Sequence, residues 1–230
     1  MRVLAILLAA CLLPTVAGAA PVGQGDSGDW ANLARYREAN RPLIATPDPR
    51  RVVFIGDSIT EGWAAQPFIR DNRHFVGRGI SGQTTPQMLV RFRSDALALK
   101  PRVVHLMGGT NDIAQNTGPE TLDEIAGYVA GMAELARANN VRMIIASVPP
   151  AADFPWHKGL APAPKIRALN AKLRAYAARH GIPYADYWRV LATPDGAMKP
   201  RYSEDGVHLN AAGYAAIRPV TEAAIARALR

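Results

Sequence analysis

Cysteine is almost absent from this sequence, because Cys11 is the only one among 230 residues. Cys11 lies in an N-terminal segment that we expect to be removed, which would leave no cysteine in the mature protein. That excludes disulfides, a cysteine nucleophile and a cysteine-ligated zinc site. Internal repeats and low-complexity segments are also absent. Since the chain is 49% hydrophobic and 20% charged, we predict one soluble domain that depends on its own core.

The first twenty residues have the order of a secretory signal peptide. Arg2 precedes an unbroken run of eleven apolar residues, 3–13, and small residues follow Pro14. Eleven residues are too few to span a bilayer, and the pattern predicts export with cleavage after Ala19 or Ala20.

We therefore expect a signal peptide over residues 1–19 and a single domain over residues 20–230. The protein would be periplasmic or extracellular, without stable membrane insertion once the signal is removed. The alternative is a lipoprotein signal, because residues 8–11 resemble the lipobox of bacterial lipoproteins and end at Cys11. Apolar sequence continues beyond Cys11, which favours cleavage at the alanines.

The formal net charge is +8, and basic proteins can bind nucleic acid, anionic membranes or acidic polymers. Here the charges are dispersed. Basic residues between positions 165 and 179 lie opposite an apolar set at helical spacing, which is typical of the solvated face of an amphipathic helix. We therefore expect no nucleic-acid partner, and an acidic cell-wall polymer stays open as an alternative.

From residue 51 onward, apolar runs alternate with longer segments of helical period, which predicts a βαβ chain and a parallel sheet. The fold class is α/β, a three-layer α/β/α doubly wound sheet in the flavodoxin-like order 2-1-3-4-5. The five predicted strands are residues 51–55, 74–77, 102–107, 142–148 and 183–186.

Besides the amphipathic helix between residues 165 and 179, four helical segments accompany these strands. A short helix is expected over residues 26–40, before a proline-rich connector, and longer helices over residues 85–99, from Pro119 onward and over residues 210–229. We interpret Gly127 and Gly131 as points where the third of these helices approaches the sheet closely.

Polar, glycine-containing loops follow the first three predicted strands: GDSIT with Ser58, GISGQTT with Gly82 and GGTND with Asn111. In an open parallel sheet, functional loops gather at the carboxyl ends of the strands. The predicted order places strand one between strands two and three, so Ser58 would lie between Gly82 and Asn111. Gly56 and Gly79 fit ordinary turn glycines.

A serine nucleophile needs a base, and the base needs an orienting acid. His208 follows Asp205 by three residues in DGVH, a spacing that can place both side chains on one side. Alone, this pair fits a capped turn before a helix better. The other four histidines lie in a strand, near the ends of elements or in a loop without an evident acidic partner: His105, His74, His180 and His157.

Together, the four segments resemble the sequence blocks of the SGNH, or GDSL-type, serine hydrolases, in the same order along the chain. The resemblance implies the SGNH hydrolase fold and a carboxylic ester hydrolase with Ser58 as nucleophile, His208 as base and Asp205 as orienting acid. It also implies an oxyanion hole made by the backbone N–H groups of Ser58 and Gly82 and the side-chain amide of Asn111. Ile59 replaces the leucine of the family name, an apolar change that does not touch the chemistry.

We expect no cofactor and no metal, since the serine mechanism needs none. The partner would be a small ester or an acylated carbohydrate, with O-acetyl groups as the leading expectation, because no extended apolar lid favours a long-chain lipase. Phe154 and Trp156 lie in a loop that should reach the same edge of the sheet, where they could line the substrate site or only pin the loop to the core.

Two kinds of alternative stay open. The same scaffold could carry a lysophospholipase, a thioesterase or an acyltransferase. From a different class, the chain could be a secreted glycan- or anion-binding protein without activity. The sequence does not indicate an oligomeric state.

Overall fold

A computed structural model of the protein describes residues 28–230, and the predicted signal peptide lies outside these residues. Five parallel strands form one sheet in the order β2-β1-β3-β4-β5. This confirms the predicted doubly wound α/β fold and its strand order. The strands are β1 Val52–Gly56, β2 Phe75–Gly79, β3 Val103–Met107, β4 Arg142–Ala146 and β5 Tyr184–Ala185.

Within residues 28–230, nine α-helices connect and flank these strands. None of the nine is both long and apolar enough to cross a membrane. They are α1 Arg37–Ala45, α2 Ser58–Ala64, α3 Pro67–Arg70, α4 Thr85–Asp95, α5 Thr110–Ile113, α6 Leu122–Ala138, α7 Ala163–Arg179, α8 Tyr187–Leu191 and α9 Ala211–Leu229.

Helices cover both faces of the sheet, so the strands are buried on both sides. Successive side chains of a strand point to opposite faces. Val53 and Ile55 of β1 pack into one hydrophobic cluster with residues of α4, α6 and α7. Val52 and Phe54 pack into a second cluster with residues of α2, α8 and α9. The sheet therefore separates two cores, which leaves its edges and strand ends as places for polar groups.

The first helix differs from the prediction. Residues 28–36 form turns, and α1 begins only at Arg37 and includes Pro42 of the predicted connector. The Asp29 carboxylate accepts hydrogen bonds from the backbone N–H groups of Leu33 and Ala34 at 2.7 and 2.8 Å. Asn32 has a φ of 56°, a left-handed conformation that interrupts a helix at this point.

The helix predicted from Pro119 onward also begins later than expected, at Leu122. Thr121 and Glu124 form a capping box, in which each side chain bonds the backbone N–H of the other. The interpretation of Gly127 and Gly131 as points of close approach to the sheet was wrong. A Cβ added to Gly127 would have no atom within 4 Å, and one added to Gly131 would meet Leu89 of α4 instead of the sheet.

Gly79 and Gly56 are required by close packing of backbone and not by turn geometry. A Cβ on Gly79 would lie 2.1 Å from the Glu61 nitrogen and 2.7 Å from the Asp57 oxygen. A Cβ on Gly56 would lie 2.5 Å from the carbonyl oxygen of Met107. The lack of side chains therefore lets β1, β2 and the segment that begins α2 pack directly against each other.

Gly79→Ala is expected to lower the free energy of unfolding by about 3 kcal/mol, because the methyl group overlaps backbone that can move only by shifting β1 and α2. Gly127→Ala is the matched control and should raise it by about 1 kcal/mol, since alanine is favoured in an exposed helix. Urea unfolding of both variants measures the two changes. Equal effects would contradict the close packing at Gly79.

Candidate active site

Ser58 is the first residue of α2 and is separated from β1 only by Asp57. Asp57 caps this helix, because its Oδ1 accepts a hydrogen bond from the backbone N–H of Ile59 at 3.0 Å. The Tyr214 hydroxyl donates to the carbonyl of Ile59 at 2.8 Å. Asp57 is fully buried, and this burial raises its pKa to about 6. The cap and the tyrosine fix the backbone from which the Ser58 hydroxyl projects.

A chain of short contacts joins Ser58 to His208, 150 residues further along the sequence, and through it to Asp205. Ser58 Oγ lies 2.9 Å from His208 Nε2, and His208 Nδ1 lies 2.6 Å from Asp205 Oδ2. With Asp205 ionised, its carboxylate can only accept, so Nδ1 carries the ring proton and Nε2 faces the hydroxyl as an acceptor. The order of groups is that of a catalytic triad.

The other carboxylate oxygen of Asp205, Oδ1, stabilises the turn that leads to His208. Asp205 Oδ1 accepts hydrogen bonds from the backbone N–H groups of Val207 and His208 at 2.9 and 2.8 Å, and from the Ser203 hydroxyl at 3.1 Å. Partial burial raises the pKa of Asp205, but the hydrogen bonds from the His208 ring and the two N–H groups outweigh it and bring the pKa to about 2. The group is therefore a carboxylate throughout the neutral range.

Gly82 lies in the loop between β2 and α4 with a φ of 76°, a conformation that favours glycine. The N–H groups on either side of it are engaged. Ser81 N–H donates to Glu61 Oε2 at 2.9 Å, and Gln83 N–H donates to the Ile80 carbonyl at 3.3 Å. Within residues 28–230, the Gly82 N–H has no hydrogen-bond acceptor.

Asn111 is in α5, directly after β3, and its side chain is buried. Asn111 Nδ2 donates to the Gln83 carbonyl at 3.0 Å, and Asn111 Oδ1 accepts from Asn116 Nδ2 at 3.0 Å. Among the described residues, these bonds leave one Nδ2 hydrogen without a partner. Asn116 was not predicted as a site residue, because the sequence QNTG around it is an ordinary turn sequence.

The two aromatic candidates differ in placement. Phe154 is fully buried in a hydrophobic cluster, so it has no surface to offer a substrate and matches the alternative of pinning its loop to the core. Trp156 is 44% exposed, stacks on Phe154 at 5.2 Å and lies 5.9 Å from the His208 ring, measured between centroids. Of the two, only Trp156 lies beside the predicted triad with exposed surface.

Within residues 28–230, no other histidine forms a hydrogen bond with Ser58. His105 is a buried core residue, as interpreted, with Nε2 2.7 Å from the Tyr187 hydroxyl, and burial lowers its pKa to about 3. His74 Nδ1 lies 2.7 Å from Asp48 Oδ2. His157 Nδ1 lies 2.7 Å from the carbonyl oxygen of Ala114, so this ring nitrogen donates.

The carboxyl groups of Asp112 and Glu120 lie close enough to affect each other's ionisation. Asp112 Oδ1 accepts from the backbone N–H of Thr85 at 2.8 Å and from its hydroxyl. Burial raises the pKa of Asp112 to about 6, and burial together with Asp112 raises that of Glu120 to about 7. Between residues 28 and 230, no group of three or more His, Cys, Asp or Glu side chains could hold a metal ion. The expectation that the reaction needs no metal stays a prediction.

Comparison with known proteins gives one family and several similar structures. Residues 54–216 match the GDSL-like lipase/acylhydrolase family. A crystal structure of a GDSL-like lipase from Bacteroides thetaiotaomicron is 43% identical, with a TM-score of 0.81 over 86% of this chain and 99% of that chain. A Bacteroides fragilis protein assigned as an acylhydrolase is 42% identical, with a TM-score of 0.84 over 90% of this chain and 100% of that chain.

A more limited similarity connects the chain to a bacterial lipoprotein. A stretch of 78 residues is 38% identical to the uncharacterized lipoprotein YqeF of Bacillus subtilis. The match covers 27% of this chain and 32% of that protein, which is less than two thirds of its length.

Asp112→Asn is expected to become more favourable relative to wild type as the pH rises. A buried carboxyl with a raised pKa binds its proton more tightly when folded, so its contribution to stability is lost between its ordinary pKa of 3.8 and about 6. The amide does not titrate and can donate to Glu120. Unfolding in urea from pH 4 to pH 7 measures the difference, with Asp123→Asn, an exposed carboxylate on α6, as control. If Asp112→Asn instead lost stability relative to wild type as the pH rises, Asp112 would not have a raised pKa in the folded protein.

Proposed function

Because the chain belongs to the GDSL-like lipase/acylhydrolase family, we propose that it is an exported serine esterase in which Ser58 forms an acyl-enzyme intermediate. One observation carries the proposal. Ser58 Oγ lies 2.9 Å from His208 Nε2, and the opposite ring nitrogen is held by a carboxylate at 2.6 Å. This is the arrangement that removes a proton from a hydroxyl at neutral pH.

In the first half of the reaction, His208 Nε2 takes the hydroxyl proton as Ser58 Oγ bonds to the ester carbonyl carbon. Asp205 keeps the ring in the productive tautomer and stabilises the imidazolium that forms. The bond between the carbonyl carbon and the alcohol oxygen then breaks, and His208 returns the proton to the leaving alcohol. Water repeats the sequence on the acyl-enzyme, which releases the acid and restores the Ser58 hydroxyl.

The negative charge on the carbonyl oxygen needs donors that are already in place. The proposed donors are the backbone N–H groups of Ser58 and Gly82 and the remaining Nδ2 hydrogen of Asn111. Fixed dipoles of this kind stabilise the transition state without reorganising as charge develops. The free N–H of Gly82, between two engaged neighbours, supports this assignment.

We propose a short-chain ester as substrate, with an O-acetyl group on a carbohydrate or another small alcohol as the leading candidate. Two large surface grooves, of about 650 and 540 Å³, are lined mainly by residues around α3 and α9 and around α6 and α7, and neither includes Ser58 or His208. Neither groove therefore offers a long acyl chain a path from the triad. The exposed ring of Trp156 is suitable for stacking on a sugar.

Export is part of the proposal because the sequence begins with a signal-like segment and one relative is a lipoprotein. The same relative also keeps lipid attachment at Cys11 as an alternative way to retain the exported protein at a membrane.

Hydrolysis of p-nitrophenyl esters from acetate to palmitate tests the function. The chain without residues 1–19 should act fastest on the shortest esters, and Ser58→Ala should lose about 10⁴-fold or more in kcat. Ser94→Ala, on α4 and remote from the triad, is the matched control. Faster turnover of long esters would favour a lysophospholipase, and equal activity of wild type and Ser58→Ala would remove Ser58 from the mechanism.

Asn111→Ala is expected to lower kcat by about 10²–10³-fold, the usual effect of removing one oxyanion donor, with a much smaller change in KM. Asn139→Ala, at the exposed end of α6, serves as the control. Steady-state kinetics on p-nitrophenyl acetate and circular dichroism measure activity and folding together. A folded Asn111→Ala with full activity would show that the side-chain amide is not an oxyanion donor.

A further inference from the structure

We propose that Asn116 is a positioning residue of the oxyanion hole and that the indole N–H of Trp156 fixes its orientation. This inference rests on the proposed function, because it concerns the donors assigned there.

Asn116 bridges the two loops that carry those donors. Its Nδ2 donates to Asn111 Oδ1 at 3.0 Å and to the Gly82 carbonyl at 3.1 Å. Its backbone N–H also donates to the Asn111 carbonyl at 3.0 Å, a return that is possible because Gln115 adopts a φ of 60°. One side chain therefore holds both the amide after β3 and the glycine after β2.

The bonds around Asn116 determine which end of each amide faces which neighbour. An asparagine can rotate by half a turn and exchange its donor and acceptor ends, so its orientation depends on neighbours of fixed polarity. Trp156 Nε1–H can only donate, and it donates to Asn116 Oδ1 at 3.0 Å. The NH₂ end of Asn116 is then directed to Asn111 Oδ1 and the Gly82 carbonyl.

The same logic continues to Asn111. Since Asn111 Oδ1 receives the bond from Asn116, its NH₂ end lies toward the Gln83 carbonyl at 3.0 Å and keeps one hydrogen for a substrate. If both amides turned over, Asn111 would present a carbonyl oxygen to the oxyanion and repel it. The relay from Trp156 through Asn116 thus acts together with the Gly82 and Gln83 carbonyls, which can only accept, to give the oxyanion hole its polarity.

Trp156 also contacts the other half of the site. Its ring is tilted by 40° against His208 at a centroid distance of 5.9 Å and is stacked on the buried ring of Phe154 at 5.2 Å. The indole ring therefore lies beside the proposed base, and its N–H bonds the residue that bridges the oxyanion donors. Trp156→Phe separates these contributions, because it keeps an aromatic ring and removes the N–H.

A purely structural role for Asn116 makes a different prediction. Thr117 and Thr84 also join the two loops, through a hydroxyl–hydroxyl bond of 3.1 Å, and Asn111 Nδ2 donates to the Gln83 carbonyl, so the loops stay connected without the Asn116 side chain. A residue that only holds loops would affect unfolding more than turnover. A positioning residue would affect kcat more than KM or stability.

The experiment is steady-state kinetics of Asn116→Asp and Trp156→Phe on p-nitrophenyl acetate. Asn116→Asp is nearly isosteric and still accepts from Trp156, but it presents oxygens to Asn111 Oδ1 and the Gly82 carbonyl. We expect kcat to fall roughly 10- to 100-fold, less than for loss of the donor itself, with KM changed less than about threefold. Trp156→Phe should lower kcat by about three- to tenfold. Asn139→Asp and Trp30→Phe are the matched surface controls.

A double variant separates positioning from an independent effect. Asn111→Ala combined with Asn116→Asp should lose clearly less activity than the product of the two single losses, because both act on the same donor. Losses that multiply, or an unchanged kcat in both Asn116→Asp and Trp156→Phe, would overturn the proposal. If Asn116→Asp does not fold, Trp156→Phe alone decides it. Ser58→Ala with wild-type activity would instead reject the proposed function.

Discussion

The rest of the site depends on the register of β1, β2 and β3, whose last residues pair with one another. Gly56 at the end of β1 pairs in register with Gly79 of β2 and Met107 of β3. Within five residues of this row, each strand leads into a loop or helix that carries one proposed functional group. Two glycines in the row let backbone pack where any side chain would collide. A fault in this packing would therefore displace the nucleophile and the oxyanion donors together.

A buried arginine reinforces the same row. Arg91 of α4 donates to the Gly56 carbonyl and the Arg78 carbonyl, both at 2.8 Å, and to the side chain of Gln83. Burial lowers its pKa to about 10, and Asp95 lies 3.4 Å away as its partner. The guanidinium thus satisfies carbonyl oxygens at the ends of two strands and holds the loop that leads through Gly82. Its cost of burial is offset by hydrogen bonds at fixed positions.

The strand order and the loops that meet at one edge of the sheet could be predicted from the sequence. Apolar runs between helical segments mark the strands, and the topology of parallel sheets then determines which loops lie together. Other features depend on contacts between distant residues. The role of Asn116 requires Trp156, forty residues further on, and the buried Arg91 looks like an ordinary basic residue of an amphipathic helix. Asn32 broke the predicted first helix through a left-handed backbone that asparagine tolerates but does not require.

Ser58 is the proposed nucleophile, with His208 and Asp205 to activate it and oxyanion donors on the neighbouring loops. Labelling with a fluorophosphonate, followed by peptide mass mapping, tests it most directly, because phosphonylation needs an activated hydroxyl and no knowledge of the natural ester. We expect one adduct, on Ser58, formed rapidly in wild type, slowly in Asp205→Asn and not at all in Ser58→Ala. A folded wild-type protein that stays unlabelled, or that carries its adduct on another residue, would contradict it.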